Sequence, residues 1–173
     1  GFEESYGYLK GTYARDKDAV CAAMLATEMA AYYKAKNMTL YDALQKLYEK
    51  YGYYGEKSQD VYMEGLDGIE RRTNTMKNLR ENPPKSIGGS PVAFVGDYLA
   101  GTITTLSDGS AKPTGLPKSD VLYYGLADGD VAVIRPSGTE PKIKIYYLAS
   151  AKDAATLAAK LATYASETDK LVK

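Results

Sequence analysis

Val131-Ala132-Val133-Ile134-Arg135-Pro136-Ser137-Gly138-Thr139-Glu140-Pro141-Lys142-Ile143-Lys144-Ile145-Tyr146-Tyr147-Leu148 is the stretch on which the fold turns. Its runs 131–134 and 143–148 are rich in β-branched and aromatic residues, and a polar heptapeptide joins them, so the sequence predicts two neighbouring strands and an exposed loop. The loop's parts suit an anion. A guanidinium can grip two phosphate oxygens, two hydroxyls can donate, and Gly138 lets successive backbone N–H groups turn toward one centre. Pro136 and Pro141 stiffen it and limit the entropy lost on binding. The same residues also make an ordinary polar connection, and spacing alone leaves both readings open.

Working outward, residues 121–124 and 131–134 flank Ala127-Asp128-Gly129-Asp130, a hairpin signal whose central Asp-Gly pair is expected to take positive φ at both positions. After Leu148, Ser150 is the expected cap of a C-terminal helix in which Ala154, Leu157, Leu161, Ala165 and Thr168 recur. Upstream, residues 91–98 and 101–106 predict a hairpin about Leu99-Ala100, and 107–119 a loop. A strand is expected over 57–64. A surface helix is expected over 67–80, with Leu66, Ile69, Met76 and Leu79 inward and Glu70, Arg71 and Lys77 in water, ended by Asn82-Pro83-Pro84. Earlier still, residues 18–36 predict a helix capped by Asp16 or Asp18, with an apolar surface of Val20, Met24, Met29, Tyr32 and Tyr33. A second helix begins at Thr39, has Asp42 three positions on, and stops at Gly52. Strands followed by a covering helix, without β-α-β alternation, give an α+β fold: an antiparallel sheet with helices packed on one face.

Composition narrows the chemistry. The 22 basic and 22 acidic residues among 173 leave no net positive field, and no basic–aromatic stripe exists, so nucleic acid is not the expected partner. No apolar run is long enough to span a membrane and no signal peptide is seen. The absence of histidine removes the usual general base, every Ser-His or Cys-His pair, and histidine metal sites. Cys21 sits among Val20, Ala22 and Met24 and reads as a packed thiol of a reducing compartment, which makes the cytoplasm the expected location. Seventeen tyrosines against two phenylalanines and no tryptophan make tyrosine the main aromatic packing residue, with hydroxyls at the edge of the core.

Gly1-Phe2-Glu3-Glu4-Ser5-Tyr6-Gly7 is a second polar loop, either a solvated acidic turn or a set of acceptors and a donor suited to vicinal sugar hydroxyls. Arg15-Asp16-Lys17-Asp18 reads as charge at a helix start, or else places Lys17 to face a phosphate or to act as an acid–base group if its pKa is lowered. Asp128 and Asp130 lack the further oxygen ligands of a metal site. Gly88-Gly89-Ser90 lacks the setting of a nucleotide P-loop. Ser5, Ser137 and Thr139 have no partner base.

Taken together, Gly1 to Tyr8, Arg15-Asp16-Lys17-Asp18, Leu79-Arg80-Glu81-Asn82-Pro83-Pro84 and Arg135 to Lys144 resemble, in order and spacing, the C-terminal part of the α-D-phosphohexomutases, most closely the phosphoglucomutase/phosphomannomutase branch. The resemblance implies that residues 1–51 end the third domain of such an enzyme, as a helical remnant of an α/β domain. Residues 52–173 would then form the fourth, a TATA-box-binding-protein-like sheet with helices on one side. It implies that Glu3 and Ser5 hold sugar hydroxyls, and that Arg135, Ser137, Gly138 and Thr139 hold the phosphate. Arg15 and Lys144 are expected to assist in binding, with Lys17 near the reacting groups. Hexose phosphate is the implied ligand, and the missing N-terminal domains are the implied partner. Those domains would bring the phosphoserine loop and the Mg²⁺ site, neither of which any stretch here resembles, with glucose 1,6-bisphosphate as activator or intermediate. The resemblance makes the fragment alone inactive as an isomerase. A phosphosugar-binding module without catalysis fits the same residues. Lys144 stands where many relatives carry arginine, and Tyr6 where many carry glycine.

Overall fold

The computed structural model describes residues 1–3 and 6–172, and the chain divides between Tyr51 and Gly52 into two compact units. In the first unit, α1 (Ala19–Lys34) begins where the Asp18 carboxylate accepts from the backbone N–H groups of Val20 and Cys21, so of the two expected caps Asp18 is the one used. The helix α2 (Leu40–Tyr51) opens with a reciprocal capping box. Thr39 Oγ1 accepts from Asp42 N–H at 3.1 Å, and the Asp42 carboxylate accepts from Thr39 N–H at 2.8 Å. Gly52, at φ 91°, then stops the helix in a conformation that favours glycine.

In this unit the apolar surface of α1 is uncovered, and the expected packing of Cys21 fails. The α1 stripe is not packed: Val20 is 72% exposed and Met24 70%. Cys21 is only half-buried rather than enclosed. The reason is that two helices and a loop supply no sheet to cover α1, and none of its residues is buried.

The second unit holds β1 (Tyr53–Tyr62), α3 (Gly68–Glu81), β2 (Ser86–Ile87), β3 (Ser90–Asp97), β4 (Thr102–Thr105), β5 (Ala111–Pro113), β6 (Leu122–Leu126), β7 (Val131–Pro136), β8 (Lys142–Ala151) and α4 (Ala154–Val172). The strand order is β1-β8-β7-β6-β3-β4-β5, with β2 paired to β3, and the described pairings are all antiparallel. Register shows why both helices share one face. Tyr124, Ala132 and Tyr147 are Cα partners in one row across β6, β7 and β8. Tyr124 donates its hydroxyl to the α3 carbonyl of Leu79, and Tyr147 meets Thr168 and the ring of Tyr164 on α4.

That row is the centre of the core. Tyr124, Tyr147 and Tyr164 are among its largest fully buried side chains, with Ile134, Ile143, Ile145, Met76 and Leu79 around them. A buried hydroxyl without a partner would be costly, and each has one. Besides the bond to Leu79, Tyr147 donates to Gln59 at 3.1 Å and Tyr164 to Asp130 at 2.7 Å. These three tyrosines therefore lie deeper than the core's edge.

Other expectations are corrected by backbone hydrogen bonding. The strand expected from residue 57 starts at Tyr53 and runs beside β8 over its full length. The loop expected over 107–119 contains β5, which pairs with β4. Ser150 is not a helix cap: it lies in β8 and donates its N–H to Asp130, while Asp153 receives Thr156 N–H at 2.7 Å and begins α4. In the β6–β7 turn Gly129 alone takes positive φ, at 89°, because the connection closes through Gly129 N–H to Leu126 C=O and Leu126 N–H to Asp130 C=O. Leu66 and Ile69 are exposed rather than inward: the buried positions of α3 are Gly68 at its start and Met76 and Leu79 in its later turns.

Candidate anion-binding site

Antiparallel pairing of β7 with β8 places Arg135 directly opposite Lys144, on the sheet face away from the helices. Like charges directly opposite each other destabilise a strand pair, so the arrangement favours an anion between or beside them. Both cations lie over the ring of Tyr146, the Arg135 guanidinium 5.9 Å and the Lys144 ammonium 5.6 Å from its centroid. Arg135 is exposed and Lys144 half-buried.

The loop between these strands is short and closed on itself. Ser137 N–H donates to Lys142 C=O at 2.9 Å, Lys142 N–H to Glu140 C=O at 2.8 Å, and Glu140 N–H to Ser137 Oγ at 3.3 Å. No acceptor among the described residues takes the N–H of Gly138 or Thr139, and both residues are exposed. Two backbone donors thus stand open at the loop tip, beside two cations at its base.

Support comes from elements distant in sequence. Lys142, 10% exposed at its side chain, is held by Glu140 at 2.7 Å and Asp60 at 2.9 Å, with Tyr62 Oη at 3.3 Å. Bonds to Glu140, then Asp60 and Tyr62, keep this ammonium protonated above the usual lysine range. Lys142 therefore anchors the loop and leaves Lys144 as the outward lysine. Met63 N–H donates to Pro141 C=O at 2.7 Å, and Arg72 of α3 donates to the carbonyls of Ser137 and Glu140.

Sequence reasoning missed Asp60, Tyr62, Arg72 and the anchoring role of Lys142. Lys142 could have been suspected from alternation, since it shares a strand face with Lys144. Arg72 carries no local signal, lying 65 residues from Ser137.

In the first unit, Lys17 lies 3.3 Å from Asp16 and 3.5 Å from Glu3. The Asp16 carboxylate, and then Glu3, raise the Lys17 pKa, the opposite of what a lysine base near neutral pH needs. Glu3 N–H donates to Gly7 C=O at 2.9 Å. Lys17 passes so close to Gly7 that a Cβ there would stand 2.1 Å from its Cδ. Tyr6 takes φ 64°, a left-handed conformation that glycine adopts at less cost. Arg15 is exposed. Ser5, expected to bind sugar, lies outside the described residues.

The described residues offer no group of three acidic or thiol ligands for a metal ion. Asp128 and Asp130 are bridged by Lys160 Nζ at 2.9 and 2.6 Å. The magnesium that the resemblance places in a complete enzyme finds no fitting group among the described residues. No helix among the described residues is long and apolar enough to cross a membrane.

Comparison with known proteins adds the family context. The family model for phosphoglucomutase/phosphomannomutase, alpha/beta/alpha domain III, matches residues 1–51, and that for the phosphoglucomutase/phosphomannomutase C-terminal domain matches residues 102–163. A phosphoglucomutase of Staphylococcus aureus (strain bovine RF122 / ET3-1) is 39% identical over 145 residues, covering 84% of this chain and 26% of the relative. That of strain MRSA252 is 38% identical with the same coverage. The chain thus spans about a quarter of the length of these curated relatives. The open form of pp63/parafusin, a phosphoglucomutase from Paramecium, superimposes with a TM-score of 0.64 at 19% identity. That match covers 98% of this chain and 29% of the other, and shows a shared fold.

Proposed function

The chain belongs to the phosphoglucomutase/phosphomannomutase family, and on that premise we propose that it is the substrate-binding C-terminal part of an enzyme interconverting hexose 1-phosphate and hexose 6-phosphate through a phosphoserine. Residues 1–51 are then the end of the third domain, and residues 52–173 the fourth. The observation that carries the reading is the Arg135–Lys144 pair beside the open amides of Gly138 and Thr139.

In this reading Arg135 and Lys144 neutralise the phosphate, while Gly138 and Thr139 N–H and the Ser137 and Thr139 hydroxyls orient it. Fixing the phosphate places the rest of the sugar, which converts much of the entropy cost of transfer into binding. Glu3 and Ser5 take sugar hydroxyls, with Arg15 assisting. Lys17, protonated and paired with Asp16 and Glu3, acts as a fixed cation rather than as a base. Magnesium and glucose 1,6-bisphosphate belong to the complete enzyme, as does the phosphoserine. A cytoplasmic setting is part of the same proposal, supported by the lone thiol of Cys21.

Calorimetric titration of the 173-residue chain tests the proposal. Glucose 6-phosphate is expected to bind in the millimolar range, and glucose 1-phosphate to bind without turnover. Unphosphorylated glucose binding as well as its phosphate would remove the basis of the reading. Turnover by the pure chain would refute its division of labour.

A further inference from the structure

We propose that Arg72 is a positioning residue of the anion loop: by holding the Ser137 carbonyl, it turns the Gly138 N–H outward to meet the ligand. The inference rests on the phosphate reading of the loop given above. Arg72 Nη1 donates to Ser137 C=O at 2.6 Å and to Glu140 C=O at 3.1 Å. No cis peptide occurs among the described residues, so the Ser137–Gly138 unit is trans, and its C=O and N–H point in opposite directions. Fixing the carbonyl toward α3 therefore fixes the amide hydrogen away from α3, on the side where no protein acceptor takes it.

The second grip works differently. The peptide unit that shares the Glu140 carbonyl ends in Pro141, which has no N–H to offer a ligand. That contact sets the height of the loop rather than aiming a donor. Glu140 C=O also receives Lys142 N–H at 2.8 Å, so the loop is tied at both ends of the same short span.

Arg72 can aim the loop only if its own helix is fixed relative to it, and it is. Gly68, at the start of α3, lies so close to β1's exit that a Cβ there would stand 1.9 Å from the Met63 carbonyl oxygen and 3.5 Å from Pro141 Cβ. Met63 in turn donates to Pro141 C=O. The helix start, the strand exit and the loop base are thus one packed junction. The neighbouring Arg71 is exposed, pairs with Asp67 one turn back and donates to the carbonyl of Glu64. Arg72, half-buried, spends its side chain on the carbonyls of the loop, those of Ser137 and Glu140.

Peptide-unit geometry gives a readout that simple bracing would not move. The Thr139 N–H belongs to the next peptide unit, which Arg72 does not touch. Inorganic phosphate is titrated by ¹⁵N–¹H NMR into the 173-residue chain and into its Arg72→Gln, Arg72→Met and Arg72→Lys variants. Loss of the two charge-assisted bonds that hold the loop predicts phosphate binding about 5- to 10-fold weaker in Arg72→Gln and Arg72→Met. The phosphate-induced shift should fall more at Gly138 than at Thr139, and Arg72→Lys should restore part of both effects. Arg72→Met keeps the aliphatic stem and carries the test if Arg72→Gln does not fold. Unchanged affinity with an unchanged Gly138 shift in the folded neutral variants overturns the inference and leaves the phosphate site standing. Loop amides of the wild-type chain that ignore phosphate overturn the site itself.

Discussion

Arg135 and Lys144 are Cα partners across β7 and β8, two cations facing one another with the ring of Tyr146 beneath both. A pair so arranged contributes little to stability by itself. Its use is to concentrate positive charge at the mouth of a loop whose Gly138 and Thr139 amides are open.

Replacing one member separates these two effects. Arg135→Gln should leave the melting temperature of the free chain unchanged or raise stability by about 0.2–1 kcal/mol, because like charges no longer face each other. Saturating phosphate stabilises a binding protein by about 2.7 kcal/mol at 100 times its dissociation constant, and the variant should lose most of that gain. Thermal scans with and without inorganic phosphate check both. A large destabilisation of the free variant would mean that Arg135 is a structural residue.

Alkaline pH should unfold the second unit while the neutral range leaves it nearly unchanged. With no histidine, the chain lacks the side chain that ordinarily titrates between pH 5 and 8. Burial raises the pKa of Tyr124, Tyr147 and Tyr164, that of Tyr147 to about 12. A raised tyrosine pKa means that the folded state holds the proton more tightly. The contribution is therefore complete below the unfolded value of about 10 and is lost as pH rises from there toward the folded value. For Tyr147 alone this amounts to about 2–3 kcal/mol. Tyrosinate absorbance should show early titration of exposed tyrosines and a later cooperative step coinciding with loss of circular dichroism. Independent titration of all seventeen would contradict the buried row.

Lys160→Met should destabilise the chain without touching phosphate binding. Lys160 bridges Asp128 and Asp130 from α4, and Asp130 is only 2% exposed. Removing the cation leaves a buried carboxylate held only by Tyr164 and Ser150 N–H, a loss of about 3 kcal/mol, at the low end for broken buried pairs because Lys160 is partly solvated. Asp128 adds a pH signature. Burial works to raise its pKa, but the bonds to Lys160, Ser90 and Asp130 N–H outweigh that and lower it. A lowered carboxylate pKa gives stability that is present above the unfolded value of about 3.9 and lost as pH falls through the folded value. Urea unfolding at pH 7 and pH 3 should therefore separate wild type from variant more at the higher pH.

Where signals were local, the sequence was enough. The capping box of Thr39 and Asp42, the stop at Gly52 and the strand–loop–strand about Arg135 each depend on residues a few positions apart. Register was not legible. Nothing near Lys142 announces Asp60, and nothing near Ser137 announces Arg72, because β1 and α3 reach the loop only after the sheet has closed. Ser150 was misread for a related reason: its capping chemistry is genuine, but Asp130, brought beside it by the β7–β8 pairing, claims its N–H first. The apolar surface of α1 was legible from its periodicity; that it stays uncovered was not, because the two helices of the first unit provide no partner for it.

The central claim is that the Arg135–Pro141 loop is a phosphate site, and NMR titration of the 173-residue chain with inorganic phosphate and glucose 6-phosphate tests it most directly. Both ligands should shift the Ser137, Gly138 and Thr139 amides in fast exchange at millimolar concentration, and Arg135→Gln should abolish the response. Amides of this loop that stay fixed while others move, with either ligand, would contradict the account.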